Sequence, residues 1–149
     1  MNLKRVVVTG LGALTPIGNS VPAYWDALLH GVSGARTITH FNPEHFKTQF
    51  ACELKNFNIL DFLPMKEVQR MDPCAQYAMV TTMEAIQDAG LDLDKIDKDR
   101  VGVIFGTGIG GFSSIMESAI SYVDSDKIPH FSPYLILKVL TDLVPGYIS

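Results

Sequence analysis

The chain is poor in the residues that mark a stapled or metal-built protein, with two cysteines and four histidines among its 149 residues. Cys52 and Cys74 form neither a disulfide framework nor a paired metal spacing, and they read as reduced thiols of a reducing compartment. His30, His40, His45 and His130 have no spacing with one another or with carboxylates that closes a metal site, so they read as surface or capping side chains. Long hydrophobic runs are missing as well. The basic start around Lys4-Arg5 leads into an apolar run that is cut at Thr9-Gly10, too short for a signal peptide or a membrane span, and the cytoplasm is the expected location. Positive charge is scarce: 12 Lys and Arg against 16 Asp and Glu leave a net charge of -4. That balance offers no bulk attraction to nucleic acid or an anionic membrane. No serine sits in a Gly-x-Ser-x-Gly elbow, and no linker or low-complexity stretch divides the chain.

What is present is a core's worth of apolar side chains. Hydrophobic residues make up 47% of the chain and charged residues 19%, the balance of one soluble globular domain. Residues 3–8 are dominated by β-branched side chains and predict a central strand buried on both faces. The stretch 9–20, with three glycines and a proline, predicts a tightly folded connection, and Ser20 is placed to cap a helix over 21–29 that Gly31 ends. Residues 32–64 show no clean period and predict an irregular excursion with a short strand near 50–54. Small and apolar residues from Met71 to Ala89 share one face, predicting a long helix over 67–89 closed by Gly90. Residues 101–105 predict a second buried strand, followed by a glycine-rich turn and a helix from Phe112 to about Val123. Strand, loop and helix occur twice, so a right-handed βαβ layout with parallel strands follows.

The most conspicuous motif is Gly106-x-Gly108-x-x-Gly111 between a strand and a helix, a spelling shared with dinucleotide-binding turns. Its context argues otherwise. A dinucleotide fold places an acidic residue at the end of the next strand, whereas Asp124 and Asp126 follow a helix in a polar run. Glycines that permit a tight turn and a close approach between elements account for the same pattern. Cys74, beside Pro73 at a helix start, has a helix dipole to favour its thiolate but no evident base, and it reads as a small core residue.

Arg5-Val6-Val7-Val8-Thr9-Gly10-Leu11-Gly12, Thr15-Pro16-Ile17-Gly18, Lys66-Glu67, Arg70-Met71-Asp72, Gln76-Tyr77 and Gly106-Thr107-Gly108-Ile109-Gly110-Gly111 occur in one order and spacing. Together they resemble the N-terminal part of the elongating β-ketoacyl-acyl carrier protein synthases, most of all those of type II, from about Lys4 to about Pro133. The resemblance implies an α/β chain with an incomplete thiolase-like fold: part of the first α-β-α-β-α half, a mixed sheet with packed helices. It implies a decarboxylative condensation of an acyl thioester with malonyl-acyl carrier protein, a partnership with acyl carrier protein in its acyl and malonyl forms, and a homodimer with no cofactor. A cysteine nucleophile and two histidines do the family's chemistry, and the pattern puts them beyond Ser149. Residues 1–149 are thus expected to be a synthase N-terminal domain that stops before the nucleophile, with no catalytic and no metal-binding residue. An alternative is a non-catalytic partner or carrier-binding subunit.

By the same resemblance, Ile109 matches the position that gates the acyl-chain pocket, and Ser132-Pro133-Tyr134 resembles the segment that reaches the dimer interface and lines the partner subunit's acyl pocket, with Tyr134 as a substrate-binding residue. Lys66 and Arg70 fall where the family presents cations to the acidic carrier protein; Gln69 stands where relatives often carry another. Leu137 to Leu143 fits the pattern loosely. Pro145 interrupts a helix that the family continues, at a cost of about 3 kcal/mol if it is interior.

Overall fold

Ser20 opens the first helix as its place before Val21 and Pro22 requires. In the computed structural model, which describes residues 4–128 and 130–149, its hydroxyl accepts from Ala23 N at the head of α1 (Val21–Leu29). Pro22 falls in the first turn, where a missing N–H removes no helical bond. The chain divides into two units, Met1–Phe57 with Met83–Leu91, and Asn58–Thr82 with Asp92–Ser149.

In the first unit the glycine-rich connection is fastened to the last turns of the long helix α3 (Pro73–Asp88). Asp88 accepts from Leu11 N at 2.9 Å, and Glu84 accepts from Ala13 N at 2.8 Å and from Val21 N at 2.7 Å. Two carboxylates one helical turn apart therefore satisfy backbone donors that no sheet or helix takes. Gly10 makes this approach possible: a Cβ there would stand 2.7 Å from Ala89 N and 2.8 Å from Ala89 Cβ. Farther along, β1 (Arg36–Thr37) pairs antiparallel with β2 (Phe50–Ala51), Arg36 opposite Ala51 and Thr37 opposite Phe50. Beyond this ladder Glu53 accepts from the backbone N–H and hydroxyl of Thr39 and from His40 N. The Thr39 hydroxyl above all holds the Glu53 carboxyl below its ordinary range.

In the second unit the helix expected over 67–89 is broken. A short α2 (Met65–Val68) ends, and α3 restarts at Pro73. Proline has no N–H to give to the preceding turn and disfavours helical geometry in the residue before it, so Asp72 becomes a cap rather than a helical residue. Leu63, Met71, Ala75, Ala78 and Val144 form the buried cluster, with Ile59, Val68, Met79, Tyr147 and Ile148 packed against it. The small residues of α3 let its neighbours approach closely, as the sequence pattern requires. The α-helices that follow among the described residues are α4 (Phe112–Asp124), α5 (Leu135–Val139) and α6 (Leu143–Ile148). Pro145 stands in the first turn of α6, where no intrahelical bond is lost, so the cost expected of an interior proline does not arise.

Two expected strands are not formed. Leu3 lies outside the described residues; among the described residues, 4–8 and 101–105 pair with nothing. Val6 is 89% exposed and Ile104 99% exposed, the reverse of burial on both faces. Their composition is that of parallel-sheet strands, but a strand is made by neighbours along both edges, and here neither segment has one. The parallel βαβ layout is accordingly replaced, among the described residues, by the single two-stranded antiparallel ladder.

Candidate functional site

A buried carboxylate of the second unit lies where α3 and α4 begin. Asp72 is 3% exposed and caps both helices at once. Its Oδ1 accepts from Cys74 N at 3.0 Å in the first turn of α3. Its Oδ2 accepts from Ser114 N at 3.0 Å and from the Ser114 hydroxyl at 2.8 Å in the first turn of α4. A carboxylate out of water costs several kcal/mol unless its lone pairs are filled. Here three donors fill them, and the positive ends of two helix dipoles add to the attraction. The carboxylate is felt nearby: burial first, and then the Asp72 charge, push the Tyr77 phenol above its ordinary value of 10.0, so it stays neutral.

Between these helix starts runs the glycine-rich turn. The Thr107 hydroxyl oxygen accepts from Gly110 N at 3.2 Å and lies 3.3 Å from the Cys74 sulfur. Gly110 has φ +76°, a conformation costly to any residue with a Cβ. Gly111 precedes α4 with φ -71° and ψ 41°, and a Cβ on it would stand 2.7 Å from Val139 Cα and collide with the Lys138 carbonyl. Glycine at 111 is thus demanded by the backbone of α5. Gly106 and Gly108, by contrast, have open space around them. The Gly-x-Gly-x-x-Gly spelling is explained at its end by helix packing, with no need of a phosphate.

Ile109 stands at the tip of this turn, 67% exposed. The partly open pocket at the base of the turn, lined by Asp72, Cys74, Gly110, Gly111, Lys138 and Tyr147 among others, holds about 10 Å³, at the lower limit for a single water. It is far too small for an acyl chain. Tyr134, half-buried at the head of α5, lies under the Arg70 guanidinium, 5.7 Å from ring centroid to Cζ. Two residues expected in separate roles are therefore brought together. Arg70 also lies 3.9 Å from Glu67, and its carbonyl accepts from the Tyr147 hydroxyl at 3.2 Å. Lys66 is exposed on α2.

Cys52 is exposed, and Cys74 is partly buried against Thr107. His30 rests on Asp26 and His40 on Glu53, both at the surface. Among the described residues no three His, Cys, Asp or Glu side chains converge as metal ligands, and no helix is long and apolar enough to cross a membrane. Sequence reasoning missed the joint made by Asp72, Thr107 and Ser114. The Asp72-Pro73 pair was its visible half, as a cap followed by a first-turn proline; nothing in the sequence announces that the same carboxylate reaches Ser114.

Residues 3–149 match the model of the family "Beta-ketoacyl synthase, N-terminal domain". A curated relative, 3-oxoacyl-[acyl-carrier-protein] synthase 2 of Staphylococcus aureus (strain COL), is 44% identical over 98% of this chain and 35% of its own length. The chain thus spans about a third of the length of that relative. Among solved structures, the ishigamide ketosynthase/chain length factor superposes with a TM-score of 0.75 at 27% identity, over 93% of this chain and 34% of the other. The ketosynthase of a type II PKS, solved with its acyl-carrier protein and bound to the hexaketide, gives a TM-score of 0.75 at 24% identity, over 96% of this chain and 38% of the other, a likeness of fold alone. The chain accordingly has part of the thiolase-like ketosynthase fold, a small sheet with packed helices.

Proposed function

This chain belongs to the β-ketoacyl synthase family, as its N-terminal domain, and from that premise we propose that it serves the condensation of an acyl thioester with malonyl-acyl carrier protein in fatty-acid synthesis. The observation that carries the reading is the collinear match of residues 3–149, several separated motifs in register rather than one glycine-rich turn. The residues that the resemblance assigns to acyl transfer and decarboxylation are not among the 149. What this domain contributes is the wall and the approach of a site. Ile109, on an exposed turn tip anchored at both ends, faces the acyl chain. Tyr134, steadied under Arg70, lines the acyl pocket of the partner subunit, and Lys66 and Arg70 meet the acidic carrier protein. Charge complementarity of that kind sets the encounter rate and orientation more than the affinity. The domain works in the cytoplasm, within a homodimer, with no cofactor, nucleic acid or membrane.

The test is a chimera in which this chain replaces the matched third of the Staphylococcus aureus synthase. The expected result is ketoacyl product from acyl- and malonyl-acyl carrier protein. A folded chimera whose cysteine accepts the acyl group but that makes no product would overturn the proposal.

A further inference from the structure

We propose that Asp72 is a positioning residue for the glycine-rich turn, fixing through two helix starts the place at which Ile109 stands; its substrate consequence rests on the reading of Ile109 given above. One carboxylate binds the first turn of α3 at Cys74 N and the first turn of α4 at Ser114, so neither helix start moves without the other. The turn between them is tied to the same short stretch of α3 at its other end, where Thr107 meets the Cys74 sulfur. Gly110 and Gly111 are pressed onto residues 138–141, which leaves the turn no room to slide on that side. On the outer side Gly106 and Gly108 are exposed and a Cβ on either would meet nothing within 4 Å, so packing alone does not hold the tip. The restraint comes from the Asp72 joint. Asparagine at this position would keep the shape but turn an NH2 toward one of the donors that Asp72 now satisfies, leaving it unpaired in a buried place.

Amide hydrogen exchange on the 149-residue chain separates positioning from simple capping. Ser114 N bonds Asp72 directly, whereas Gly110 N bonds Thr107 Oγ1 and Phe112 N bonds the Gly110 carbonyl. Asp72→Asn is expected to raise exchange at Gly110 and Phe112 by about tenfold or more, with less than about a twofold change at Ala78 and Val80. Ser114→Thr, which keeps the hydroxyl, should restore near-native protection relative to Ser114→Ala. If Ser114 alone is freed while Gly110 and Phe112 stay protected, Asp72 is only a cap and the proposal fails. Should Asp72→Asn raise exchange throughout the unit, Ser114→Ala decides: faster exchange at Gly110 supports the proposal, and unchanged exchange sinks it.

The chimera then reads the consequence as the ratio of kcat/KM for long and short acyl chains, in which a loss of folded protein cancels. Asp72→Asn is expected to shift the ratio severalfold, and Ile109→Phe tests the acyl-chain reading itself. A ratio moved by Ile109→Phe but not by Asp72→Asn overturns the positioning role and leaves the reading of Ile109 intact. A ratio moved by neither removes Ile109 from the substrate, and the exchange result alone then judges the joint.

Discussion

Replacing Gly111 by alanine isolates the contact between the glycine-rich turn and α5. At φ -71° Gly111 lies outside the left-handed region that favours glycine, so the penalty worked out here is one of space. The added Cβ would stand 2.7 Å from both the Lys138 carbonyl carbon and Val139 Cα, with the Lys138 oxygen closer still. Non-bonded carbons settle at about 3.5–4.0 Å, so the α5 backbone would have to retreat by about 1 Å. Overpacking a close-packed contact costs about 1–3 kcal/mol. The obstacle here is helix backbone, which cannot swing aside as a side-chain tip can, so a loss of about 3 kcal/mol is expected. Gly108→Ala is the control: with nothing within 4 Å of its Cβ, it should change stability by less than about 0.5 kcal/mol. Urea titration followed by circular dichroism measures both as midpoint shifts at constant m. Equal midpoints for the two variants would refute the reasoning.

Three further outcomes follow from the same structure. Glu84→Gln, which keeps one acceptor for two backbone donors, should cost about 1–2 kcal/mol and speed exchange at Ala13 and Val21; unchanged exchange there would show that the carboxylate does not hold the loop. Because the folded state holds Glu53 below its ordinary value of 4.5, its contribution is complete above that pH and fades as pH falls through the lowered value. The stability difference between the native chain and Glu53→Gln should therefore shrink on acidification, and a difference that grew would contradict the sign. In the chimera, Lys66→Glu with Arg70→Glu should weaken carrier-protein binding by an amount that falls as salt rises, since exposed charges are screened over about 8 Å at physiological ionic strength; a salt-independent loss would point to misfolding.

The exchange of strands for exposed segments shows which signals travel with the chain. Residues 4–8 and 101–105 have the apolar, β-branched composition of buried strands, but composition states only what a segment tolerates. Ladder bonds come from a neighbour, and among the described residues none reaches either segment. The helix broken at 69–72 teaches the converse. Face periodicity carried the expected helix straight through Asp72-Pro73, while the local rule about the residue before a proline already spoke against it.

By itself the sequence determined the features that depend on a few adjacent residues: α1 with its Ser20 cap and Pro22, the start of α4 after Gly110-Gly111, the small-residue face of α3, and a set of motifs in register sufficient to place the family. Caps, turns and faces are local, because their bonds join residues three or four apart. Only the tertiary structure decided that Gly111 answers to the backbone of α5, that Arg70 lies over Tyr134, and that Asp72 serves two helices across 42 positions of chain. No spacing rule spans such a distance; each of these contacts exists because packing α3, α4 and α5 together leaves a buried carboxylate that must find donors and a backbone that must find room.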